Sequence, residues 1–73
     1  MKIENLVKMA NQIGQFFELE PDQSRAISDV ALHIKRNWAP QMRKAIISHV
    51  QSGGEGLLPI VTKAVQANQQ LLA

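Results

Sequence analysis

The 73-residue chain has no cysteine and no tyrosine, and its aromatic side chains are limited to Phe16, Phe17 and Trp38. The missing cysteine excludes disulfides, iron–sulfur ligation by thiolate and thiolate zinc sites. It also fits a reducing compartment. With so few rings, a core must rest on aliphatic packing. Charge of one sign is scarce too. Eight Lys and Arg against six Asp and Glu leave a formal +2, too mild to drive binding to nucleic acid or an anionic membrane by itself. No apolar run approaches the ~20 residues that span a bilayer. Met1-Lys2-Ile3-Glu4-Asn5 lacks the apolar stretch of a signal peptide. The expectation is a cytoplasmic chain with no membrane and no nucleic-acid partner. One domain is the ceiling at this length. A domain so small buries only about 60% of its unfolded surface, so it needs a partner or very good helix packing.

What is present is helical periodicity from end to end. Ile3, Leu6, Val7, Ala10, Ile13 and Phe17 share one face of a first helix over residues 2–18. Met9 and Phe16 widen that face to about half the circumference, more than a simple surface helix shows. Gly14 costs about 1 kcal/mol against alanine in a helix interior. Close approach of another helix would account for it; tolerance at a loose site is the plainer alternative. Glu18-Leu19-Glu20-Pro21-Asp22 is a break, with Pro21 suited to the first turn of the next helix and the acids to its positive end. Helix two, over 21–38, buries Ile27, Val30, Ala31, Ile34 and Trp38 and projects Arg25, Asp29, Leu32 and Arg36. Ala39-Pro40 ends it. Pro40 opens helix three, over 40–51, with Met42, Ala45, Ile46, His49 and Val50 on its stripe. Ser52-Gly53-Gly54-Glu55-Gly56 is a stop and a loop. Helix four, over 58–72, turns Ile60, Val61, Ala64, Val65, Asn68, Leu71 and Leu72 to one side. No strand pattern or repeat is present. The reading is all-α: a small four-helix bundle-like domain over residues 1–73.

Little in the chain reads as a reaction centre. His33 and His49 lie on different helices, without a His-x-x-x-His spacing or a cysteine, whereas a closed zinc site needs four ligands. His49 falls within a stripe, as a partly buried, hydrogen-bonded histidine would. Ser48-His49 adjacency is no triad, because helical neighbours point about 100° apart. The glycine-rich loop lacks the lysine of a phosphate-binding loop and follows a helix rather than a strand. No catalytic, cofactor-binding or metal-ligating residue is assigned. The densest cluster is His33-Ile34-Lys35-Arg36-Asn37-Trp38-Ala39-Pro40-Gln41-Met42-Arg43, at the junction of helices two and three. Lys35, Arg36, Arg43 and Lys44 there read in three ways: a solvated face, a helix–turn–helix DNA reader, or a patch for an acidic surface on a partner protein. DNA affinity rests on neutralising several phosphates, which the mild charge disfavours. Interface hot spots are rich in arginine and tryptophan, which favours the partner protein. Trp38 is either core or a partner-facing rim residue whose indole N–H is satisfied there.

Three blocks carry a resemblance: Leu6-Val7-Lys8-Met9-Ala10-Asn11-Gln12-Ile13 with Phe16-Phe17; His33-Ile34-Lys35-Arg36-Asn37-Trp38 with Pro40, Met42 and Arg43; and His49 with Gly53-Gly54, Gly56-Leu57 and Pro59. In order and spacing they resemble the delta subunit of NAD-dependent, molybdenum-containing formate dehydrogenases, over most of the chain from near Leu6 to Ala64. The resemblance implies a non-catalytic accessory subunit with no cofactor of its own. Molybdenum cofactor, iron–sulfur clusters and flavin are expected in partner subunits. It implies binding to the catalytic alpha subunit, in support of assembly, cofactor insertion or stability. On that reading the partner-binding residues are His33, Arg36, Trp38, Met42 and Arg43. The opening block is either their support or a second contact through Met9, Gln12 and Phe16. The family's usual aspartate before the prolines that open helices three and four is replaced by Ala39 and Leu58, which removes a cap from each. The alternative is a small helical regulator, DNA-binding or self-associating, and self-association of the isolated chain stays open.

Overall fold

A computed structural model describes residues 2–73 and contains α1 (Ile3–Phe17), α2 (Gln23–Asn37), α3 (Pro40–Gln51), α4 (Pro59–Ala67) and the one-turn α5 (Gln69–Leu72). The fold is all-α, with no strand among the described residues. Local chemistry sets the boundaries. Asp22, not Pro21, begins the second helix: its backbone is extended (φ −82°, ψ 98°) and its Oδ1 accepts the Arg25 N–H at 3.2 Å, a side-chain cap. The helix ends at Asn37. Trp38 (φ −98°, ψ 140°) and Ala39 (φ −65°, ψ 154°) are both extended ahead of Pro40, which excludes the helical region for its predecessor. Pro40 then occupies the first turn of α3, where its missing N–H is no loss. The helix stops where Gly54, in the left-handed region (φ 65°), returns its N–H to the His49 carbonyl at 2.8 Å.

The expected helix over 58–72 is two helices. At Asn68 (φ −129°, ψ 30°) the side-chain Nδ2 donates to the Ala64 carbonyl at 2.9 Å, the acceptor that Asn68's own N–H would use in a continuing helix. That N–H shifts to the Val65 carbonyl at 3.3 Å, and the axis breaks. The break decides which leucine is inside. Leu72 is 0% exposed and Leu71 38%, whereas one continuous helix places both on the buried face.

α1 and α4 approach closely at Gly14. A Cβ built on Gly14 would lie 2.7 Å from Val61 Cγ2 and 3.1 Å from Ile60 Cγ2, so the glycine is there for the approach of a second helix. α2 and α3 lie on either side of this pair. Both pack on α1 and α4, yet they scarcely touch each other although consecutive in sequence. α5 spans the two, packing on α2 and α3. The core is aliphatic, with Leu6, Val30, Ile34, Ile46, Val61, Val65 and Leu72 fully buried. Two polar clamps hold the loop after α3. Asn11 donates from Nδ2 to the Gly56 carbonyl and accepts the Leu58 N–H on Oδ1, both at 2.9 Å. His49, half-buried on α3, donates from Nε2 to the Glu55 carbonyl at 2.8 Å. Ala39 and Leu58 stand at the N-caps of α3 and α4 and give no side-chain cap.

Candidate functional site

The short connection 18–22 lays α1 and α2 side by side, and an open groove of about 420 Å³ runs between them. Met9, Gln12 and Ile13 line it from α1; His33, Asn37 and Trp38 line it from α2 and its end. The four-residue spacings Met9/Ile13 and His33/Asn37 place each pair on one helix face. A second concavity, lined by Phe17, Asp29, Leu32, His33, Arg36 and Asn37, shares His33 and Asn37 with the first. The two form one continuous surface. An aromatic row crosses it: Phe16 meets Phe17 edge-on at 5.0 Å between ring centroids, and Phe17 meets His33 at 6.3 Å. Phe16 is 73% exposed and Leu19, in the connection, 84%. Asn37 donates to the His33 carbonyl at 2.8 Å, which fixes the α2 wall.

The junction residues singled out from sequence do not form one patch. His33 and Arg36 are exposed on the α2 wall, and Trp38, only 5% exposed, closes the groove at its floor. Met42 lines a separate concavity with Leu6, Gln41 and Ala45. Arg43 is turned inward: its Nε donates to the Leu72 carbonyl at 3.0 Å and one terminal nitrogen to the Trp38 carbonyl at 2.8 Å. It staples α3 to α5 and to the end of α2. Of the alternative contact, Met9 and Gln12 line the groove with His33, so the opening block and the second block meet there, while Phe16 contacts Phe17 outside the groove lining. Asn37 and Leu19 were not singled out as contact residues. For Asn37 the available signal is its spacing of four from His33; for Leu19 it is a large apolar residue inside a helix break.

The surface combines an apolar floor with amide and imidazole groups on the walls and a guanidinium beyond. The chain has no cysteine, and among the described residues there is no group of three or more His, Asp or Glu placed to hold a metal ion. Fold and site together define a small all-α domain with an exposed apolar face between its first two helices. Residues 5–65, from α1 into α4, match the family described as NADH-dependent formate dehydrogenase delta subunit FdsD, and the chain belongs to that family. Nothing among curated proteins and nothing among solved structures matches it. No helix among the described residues is long and apolar enough to cross a membrane.

Proposed function

We propose that this chain is a non-catalytic accessory subunit, acting in the cytoplasm, that binds the catalytic alpha subunit of a formate dehydrogenase and supports its assembly, molybdenum-cofactor insertion or stability. The observation that carries the reading is the α1–α2 face on a member of this family: a groove lined by Met9, Ile13 and Trp38 runs between the two helices, and Phe16 near the end of α1 and Leu19 in the connection stand in solvent. Covering apolar surface stabilises an association by about 25 cal/mol per Å² before the costs of binding are subtracted. A small domain and the surface it docks on then stabilise each other by mass action, since each binds the folded form of the other. The redox groups (molybdenum cofactor, iron–sulfur clusters and flavin) belong to the partner subunits.

The test is formate-dependent NADH formation by the enzyme complex produced with and without this chain, with molybdenum content measured on both. Loss of activity together with molybdenum assigns the chain to cofactor insertion or retention. Loss of activity at full molybdenum assigns it to support of the assembled enzyme. Unchanged activity and metal overturn the reading.

A further inference from the structure

We infer that the free chain pairs with a second copy of itself through the α1–α2 face, as a two-fold dimer with α2 antiparallel to α2. The inference needs no other subunit, and because it uses the face assigned above to the alpha subunit, the pair would part before the chain docks there.

The outer edge of α2 carries Arg25, Asp29, Leu32 and Arg36. Their spacings of four, three and four are those of a helix–helix seam. In an antiparallel pair about a two-fold axis, a contact from residue i to residue j is repeated from j to i. An axis between Leu32 and His33 sets Arg36 of one copy against Asp29 of the other, twice. The charges on this edge are thus complementary to themselves in one register. The register one turn away, which sets Arg25 against Arg36, is repulsive. Asp29, Leu32 and Arg36 line one concavity, so the pairing groups and the apolar centre share a surface. Phe17 lines the same concavity, and its ring stands 6.3 Å from that of His33, at the level of the axis. Leu32 and Phe17 from both copies therefore supply the apolar centre and the two Asp29–Arg36 pairs its flanks. A small ligand is a poorer occupant. Small-molecule sites enclose about 70–90% of the ligand's surface, and this surface is open along its length.

The test is sedimentation equilibrium of the full chain over a concentration series, with helical circular dichroism of each variant as the control for folding. Wild type should pass from monomer to dimer as concentration rises. Arg36→Asp and Asp29→Arg should each raise the midpoint concentration on the order of tenfold or more, because each sets like charges face to face. Mixing the two variants should restore association as a mixed pair, since each then meets the opposite charge at both contacts. The double variant, with both charges exchanged, should associate as wild type does. A wild type that remains monomeric throughout overturns the inference. So does a mixture no more associated than its components, and so do single variants that associate as tightly as wild type.

Discussion

At the scale of single residues, the same side-chain type has opposite roles depending on what lies within its reach. Arg36 points to solvent, while Arg43 is held by two main-chain carbonyls, of Trp38 and Leu72. Hydrogen bonds from a charged donor contribute about 1.5–3 kcal/mol, so Arg43→Ala is expected to lower the unfolding free energy by that order in urea titration. Arg43→Lys should recover only part of it, because an ammonium lacks the planar fork that reaches both oxygens. Gly14→Ala gains about 1 kcal/mol in helix propensity. It also sets a methyl 2.7 Å from Val61 Cγ2, an overpacking that costs about 1–3 kcal/mol. The expected result is a lower melting temperature. Phe16→Ser removes an exposed ring and should leave stability within about 0.5 kcal/mol of wild type, so any loss of association by that variant reports on the face rather than on the fold. His49 was readable from its stripe, since burial of one helix face is a local pattern. The role of Arg43 was not, because Leu72 lies 29 positions away and only the folded chain brings it near.

At the scale of elements, the helix starts explain most of what the sequence reading had right and the small amount it had wrong. Proline and glycine act on their immediate neighbours, so α3 was legible to the residue and the loop after it was legible as a loop. Side chains that bond back to the backbone are harder to read. Asp22 moved the start of α2, and Asn68 broke the last helix by holding the Ala64 carbonyl. The two uncapped starts differ in context. Ala39 is exposed with extended backbone, so Ala39→Asp is expected to stabilise the chain by about 0.5–2 kcal/mol, visible as a higher thermal midpoint. Leu58 is half-buried and packs on the core. Leu58→Asp therefore gains a cap but loses apolar contact, and a net fall in stability is expected in the same measurement.

At the scale of the whole molecule, α5 closes the side on which α2 and α3 fail to meet. Removing residues 69–73 deletes the fully buried Leu72 and one of the two acceptors of Arg43. Losing a buried leucine side chain alone costs about 2–5 kcal/mol, a large share of the roughly 5–15 kcal/mol that hold a typical native protein together. The shortened chain should unfold at markedly lower urea concentration and with a shallower transition. The candidate site belongs to this scale as well. His33, Arg36 and Trp38 sit together at the α1–α2 surface, whereas Met42 and Arg43, only a few positions further on, face other parts of the fold. A cluster in sequence is not a patch in space when a helix ends inside it. The sequence by itself determined the all-α class, the helix punctuation and most of the buried stripes, because periodicity, proline and glycine act within a turn or two of chain. Only the tertiary structure decided which helices are neighbours, that α1 and α4 approach closely at Gly14, that Arg43 faces inward, and that Phe17 and His33 share a face. Those are contacts between distant segments, and their energy depends on shape complementarity that no local pattern records.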